Sequence, residues 1–103
     1  MTKLSDAEIQ ASLSQFPEWS ELNGSIQRTF QFPDFASAMR FVGHVAECAE
    51  QRQHHPDILI RYNKVTMTLS THDSGGITAK DFELAREIDQ AAGLCGQGQP
   101  AGG

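Results

Sequence analysis

The sequence predicts an α+β fold, a four-stranded antiparallel sheet with helices packed on one face, in the order α-β-β-α-β-β-α. Three observations carry this prediction. Asn23-Gly24 separates two extended stretches, and both residues tolerate the positive φ that a two-residue type I′ hairpin turn demands. Over residues 34–52 apolar side chains recur at three- and four-residue spacing, the period of an amphipathic helix. Beyond Pro56 the pattern switches to alternation, over residues 58–62 and again over 65–71, the period of half-buried strands.

Taken in order, Ser5 and Glu8 have the spacing of a capping box, and they open a short helix to about Gln15 with Ile9 and Leu13 on one face. Pro17 ends it. The first hairpin sets residues 19–22 against 25–32. Ile26, Phe30 and Phe32 share its inward parity, which Arg28 interrupts. Asp34 caps the long helix, whose apolar stripe reads Phe35, Ala38, Val42, Val45 and Ala49. His54-His55-Pro56 stops it, because proline disfavours helical backbone in the residue before it. Asn63-Lys64 is the expected turn of the second hairpin. After a loop carrying Gly75-Gly76, Thr78 and Asp81 frame a third helix with Phe82, Ala85 and Ile88 on its apolar face. Residues 1–94 read as a single domain and residues 95–103, Gly- and Gln-rich, as a disordered tail.

A chain of 103 residues with 39% apolar and 20% charged side chains has ordinary single-domain globular composition. Eight Lys and Arg stand against 13 Asp and Glu, a formal net charge of −5. No cationic surplus exists to release counterions from a phosphate backbone, so no direct nucleic-acid partner is expected. Cys48 and Cys95 form no Cys-x-x-Cys pair and read as small neutral thiols. No stretch approaches the ~20 apolar residues of a membrane span, and the first ten residues hold no apolar run of leader length. The expectation is a soluble, cytoplasmic protein with no membrane partner.

The second hairpin gathers imidazoles. With Asn63-Lys64 as the turn, Tyr62 pairs with Val65, Ile60 with Met67 and Ile58 with Leu69 on one face. Arg61 then meets Thr66, Leu59 meets Thr68 and Asp57 meets Ser70 on the other. Extending the ladder sets His55 opposite His72, with Cβ atoms about 4.5–5.5 Å apart, and His54 beside them. The loop after His72 is short enough to bring Asp81 to the same end. A one-residue slip would turn His72 onto the core face and break the cluster.

Histidine titrates near pH ~6.5, so several around one pocket can supply an acid and a base together. Each well-placed group is worth roughly 10²–10⁴ in rate, and a carboxylate alongside fixes the tautomer. Singly, the residues have plainer explanations. Asp81 is a helix cap, Glu50, Arg61 and Lys80 are solvated charges, Gly75-Gly76 is a turn, Tyr62 is a core residue and His44 a surface one. Convergence of three histidines is what those explanations leave over. Zinc also takes three such ligands. However, side chains adjacent in an extended stretch, as His54 and His55 are, diverge, and the ligand spacing His-x-x-x-His is absent. No metal is assigned.

These residues resemble the signature of the pterin-4a-carbinolamine dehydratases. Glu50 stands four before His54-His55-Pro56, and an aromatic, Tyr62, follows after five intervening residues. His72 lies ten beyond Tyr62, and Asp81 nine beyond His72. The likeness covers about residues 19–89. It implies a four-stranded sheet with helices on one side, assembled as a homodimer or homotetramer. It implies a carbon–oxygen lyase that expels water from a 4a-hydroxy-tetrahydropterin to give the quinonoid dihydropterin, recycling the pterin of aromatic amino-acid hydroxylases. His54 and His72 would be the acid/base pair, with Asp81 orienting a histidine or touching the ring. His55, Pro56, Ser70, Thr71 and Glu50 would hold the substrate, and no cofactor is implied because the pterin is itself the substrate. The same resemblance includes a non-catalytic alternative, an oligomeric binding module acting as transcriptional coactivator or assembly factor. Retention of all three histidines favours catalysis. A metal-dependent hydrolase is a third alternative, and metal analysis of the purified protein separates it.

Overall fold

The structure is a computed structural model in which residues 2–98 are described. Helix α1 (Asp6–Leu13) leads into strands β1 (Ser20–Leu22) and β2 (Ser25–Gln31), helix α2 (Phe35–Arg52), and strands β3 (Asp57–Arg61) and β4 (Lys64–Leu69). A 3-10 turn (His72–Ser74) and helix α3 (Ala79–Leu94) complete the expected α-β-β-α-β-β-α order. All four strands are antiparallel, in the spatial order β1-β2-β4-β3.

Local signals form where they were expected. The Ser5 hydroxyl accepts from the Glu8 N–H at 3.2 Å and the Glu8 carboxylate from the Ser5 N–H at 2.8 Å. Asn23 and Gly24 both adopt positive φ, 51° and 79°, and Leu22 pairs with Ser25 across them. Ile26 and Phe30 of β2 and Val65, Met67 and Leu69 of β4 are fully buried, forming one core with Phe41 and Val45 of α2 and Leu84 and Ile88 of α3. Arg28 breaks the inward parity without leaving an unpaired charge. Its guanidinium lies 4.4 Å from the Phe30 ring centroid and donates to Asp89 at 2.9 Å, an oxygen that also accepts from the Trp19 indole.

Three expectations are corrected. The second turn is Tyr62-Asn63 rather than Asn63-Lys64, so Ile60 pairs with Val65, Ile58 with Met67 and Asp57 with Thr68. Tyr62 accordingly takes positive φ, 55°. The cause lies outside the hairpin. Asn63 gives its carbonyl to the Phe32 N–H and its side-chain amide to the Phe32 carbonyl, both at 2.9 Å, extending the β2 ladder through this position. Relative to the expected register the slip is two residues along β4, and an even slip leaves every side chain on its own face.

The second correction concerns the edge. Ile58 and Ile60 are each 37% exposed and Tyr62 is 69% exposed, because β3 lies outermost in the sheet. Third, the buried stripe of α2 is Ala38, Phe41, Val45 and Ala49. Phe35 is 47% exposed at the first turn, where it stacks on Tyr62. The expected tail starts at Cys95, and its first residues carry backbone bonds to α3 and β2. The Gln97 N–H bonds the Ala92 carbonyl, and the Gly98 N–H bonds the Gln31 carbonyl at 2.8 Å. Residues 99–103, the rest of the expected tail, lie outside the described residues.

Candidate active site

Two loops and one helix start meet at the end of the sheet away from the Tyr62 turn. Gln53, which caps α2, adopts left-handed backbone (φ 52°, ψ 43°), a conformation few residues with side chains take. Its side-chain amide donates to the Glu50 carbonyl at 2.7 Å, and the His54 N–H reaches the Ala49 carbonyl at 3.1 Å. Turned this way, the chain carries His54, His55 and Pro56 across the end of α2 into β3. On the other side β4 stops at Leu69, and Thr71 bridges Gly76 with N–H···O distances of 2.8 and 3.3 Å. His72 therefore stands in the loop between them, where Gly75 at φ 76° allows the reversal. The ladder does not continue to a His55–His72 pair. The N-terminal segment crosses this loop, its Leu4 N–H bonding the Ile77 carbonyl, and a Cβ on Gly76 would fall 2.7 Å from Cδ of Lys3.

The loops nonetheless converge. His54, His55, Ser70, Thr71 and His72 line one open cleft of about 260 Å³, together with Gln53, Asp73 and Lys80. A second cleft of about 280 Å³ shares Ser70 and His72 and runs on to the Asn23-Gly24 turn. A larger concavity of about 690 Å³ lies around Leu59, Arg61 and Tyr62 at the other end and contains no histidine.

Asp81 is fully buried behind the cleft. One of its carboxylate oxygens lies 2.5 Å from Nε2 of His54. The other accepts from the Thr71 hydroxyl at 3.0 Å and from the Thr78 N–H at 2.9 Å. His55 is exposed and its Nε2 lies 2.5 Å from the Glu50 carboxylate. Beside His54, Arg52 bridges to Glu83 and Glu87 of α3, and the hydrogen bond to Glu87 holds its guanidinium still more firmly protonated than usual. Burial, with Glu87 next, pushes the Cys48 thiol above its ordinary range, in keeping with a neutral side chain.

Of the residues singled out from sequence, five line the cleft and three do not. Asp81 reaches it through His54, Glu50 meets His55 from outside, and Pro56 lies beyond the lining residues. The Thr71 hydroxyl is engaged inside the protein. Gln53, Asp73 and Lys80 were missed as cleft residues. Each is the immediate neighbour of a residue that was singled out, and in a loop such neighbours share a rim. Among the described residues no group of three or more His, Cys, Asp or Glu is arranged to hold a metal ion.

The profile of the family described as Pterin 4 alpha carbinolamine dehydratase matches residues 2–91. A Picosynechococcus protein is 58% identical over 86% of this chain and 97% of its own, and a Chloroflexus aurantiacus protein is 54% identical over 90% and 100%. Both are named, provisionally, pterin-4-alpha-carbinolamine dehydratases. Among solved structures, a transcriptional coactivator/pterin dehydratase from Brucella melitensis superposes with a TM-score of 0.86 at 33% identity, covering 88% of this chain and 99% of that one. A pterin dehydratase-like RuBisCO assembly factor of the alpha-carboxysome shares the fold, with a TM-score of 0.61 at 22% identity over 73% and 87% of the two chains.

Proposed function

The chain belongs to the pterin 4 alpha carbinolamine dehydratase family, and on that premise we propose that it eliminates water from a 4a-hydroxy-tetrahydropterin. The observation that carries the reading is the shared cleft. Imidazoles from two separate loops, His54 and His72, border one small opening, and one of them is backed by a buried carboxylate.

The chemistry needs little more. The nitrogen at ring position 5 pushes the 4a hydroxyl out as a proton reaches that oxygen. The C–O bond breaks, water leaves, and the N5 proton is removed to give the quinonoid dihydropterin. One imidazole donates and the other accepts, so the protein ends with its starting proton count. Asp81 orients His54. His55, with Glu50 on its other side, and the segment Ser70-Thr71-His72 border the ring, while Pro56 sets the direction in which the chain leaves. No cofactor enters this scheme, since the pterin is consumed as substrate. Recycling of hydroxylase pterin is the role it fits. A cytoplasmic setting suits two unbridged cysteines and the lack, among described residues, of any helix long and apolar enough to cross a membrane.

A homodimer or homotetramer is part of the same proposal. Among the described residues β3 offers an unpaired strand edge whose five residues are all exposed, three of them apolar, and such edges pair with another strand unless protected. The alternative, a non-catalytic binding module, draws on the coactivator and assembly-factor descriptions of the two structural relatives.

The deciding assay follows dehydration of enzymatically generated 4a-hydroxypterin. Wild type should accelerate it over buffer, and His54→Ala and His72→Ala should each lose roughly 10²–10⁴ of that rate. If neither substitution slows the reaction, the site is wrong. If the wild type adds nothing to the buffer rate, the binding module replaces the enzyme.

A further inference from the structure

We infer that Thr71 and Thr78, through Asp81, are positioning residues that set which nitrogen of His54 carries the proton. This rests on the dehydratase reading for its consequence, but not for its geometry. Thr78 and Asp81 form the capping box of α3, which accounts for one carboxylate oxygen and one backbone N–H. A helix cap needs nothing from Thr71, which belongs to the loop after β4. It also needs nothing from His54, which follows α2. Yet both bond the same buried carboxylate, one on each oxygen.

Counting protons gives the chain a direction. A threonine hydroxyl has one hydrogen to give and lone pairs to receive. Thr71 Oγ1 lies 3.0 Å from Asp81 Oδ2, and a carboxylate can only accept, so the Thr71 hydrogen goes there. Thr71 Oγ1 is also 2.8 Å from Thr78 Oγ1, and its hydrogen is already used. Thr78 must therefore donate to Thr71, while its own oxygen accepts from the Lys80 N–H at 3.3 Å. The relay runs from Thr78 to Thr71 to Asp81. Its last acceptor, Asp81 Oδ1, takes the hydrogen on Nε2 of His54.

Thr78 and Asp81 are fully buried and Thr71 is nearly so. No buried side-chain nitrogen or oxygen among the described residues lacks a partner. A buried network with every polar group satisfied is rigid and holds one arrangement. With Nε2 committed to Asp81, Nδ1 is the nitrogen of His54 left for a substrate. The hydroxyl of Thr71 thereby acts on the substrate through two other side chains, rather than by touching it.

The test reads the His54 ring directly, by ¹⁵N chemical shifts with the ring neutral. Wild type should show the Nε2–H form. Thr71→Val and Thr78→Val keep the bulk and remove the hydroxyl; each should give a mixture of tautomers and about a tenfold loss of turnover, the worth of about one hydrogen bond. Thr71→Ser and Thr78→Ser should restore both readings. A purely structural role for the hydroxyls would lower melting temperature and leave the tautomer alone. An unaltered tautomer in both Val variants overturns the proposal, as does unchanged turnover in a variant whose tautomer has shifted. Finding Nδ1–H in the wild type overturns it without any variant having to fold. The ring signal needs no substrate. A wild type without dehydratase activity would thus count against the function proposed above, while the tautomer still judges this relay.

Discussion

His54 and His55 are consecutive, each places Nε2 at 2.5 Å from a carboxylate oxygen, and there the likeness stops. The His54 side chain is 11% exposed and its partner Asp81 not at all, whereas His55 is 57% exposed and Glu50 72%. In the first pair the surroundings are threonine hydroxyls and the first turn of a helix, fixed by packing. In the second they are water. A charge or dipole loses most of its leverage in solvent, through screening and through the entropy of holding two free side chains together. Contact distance alone therefore says little about what a histidine–carboxylate pair does; burial decides whether it fixes geometry or merely decorates a surface.

The largest expected effect separates the two rings by rate. In the dehydration assay His54→Ala should lose roughly 10²–10⁴. His55→Ala should act mainly on KM, with kcat falling less than about tenfold, because in the proposed function its contact is one of binding, common to ground and transition states. Equal kcat losses would erase the contrast.

Stability gives the next measure. Asp81→Ala leaves the His54 N–H, the Thr71 hydroxyl and the Thr78 N–H facing an empty acceptor site, and urea unfolding should show a loss of about 3–5 kcal/mol. Glu50→Ala should change the same quantity by less than about 1 kcal/mol, as exposed pairs do. A Glu50 effect as large as that of Asp81 would mean that the surface pair is shielded, for instance by a second subunit.

The smallest effect concerns a third kind of carboxylate. Asp34 is exposed and has no histidine, but it accepts the Ser37 N–H at 2.7 Å, and that backbone bond holds its carboxyl below the ordinary range. A group depressed in the folded state stabilises the protein above its unfolded value and stops doing so as pH falls through the folded one. The melting-temperature gap between wild type and Asp34→Ala should accordingly be a few degrees at neutral pH and shrink below about pH 4. A gap that widens with acid would contradict the cap.

Much of this contrast was legible from residue types and much was not. Ser5 with Glu8, Thr78 with Asp81, and Asn23-Gly24 were readable because each device closes within four residues. The choice among backbone conformations there is made by the side chains concerned. The Tyr62-Asn63 turn is not legible from its own residues, for the opposite reason. Its residues preferred a different local solution, and the bonds that overruled it come from Phe32, 31 positions away. Helical period places Phe35 in the core, yet at the first turn of α2 the ring meets Tyr62 instead. The slip in the hairpin did not scatter the histidines, since two residues is a full strand period and His72 is held by its own loop.

The sequence by itself determined the α+β class, the order of elements, the helix caps, the first hairpin and the identity of the histidines, because periodicity and capping are short-range energies written in neighbouring residues. Only the tertiary structure decided the register of β3 on β4, the exposure of the outer strand, and which imidazole stands against a buried acid. Those outcomes depend on partners 27 or more positions apart, and their hydrogen bonds exist only once the helices and the sheet have closed over a common core.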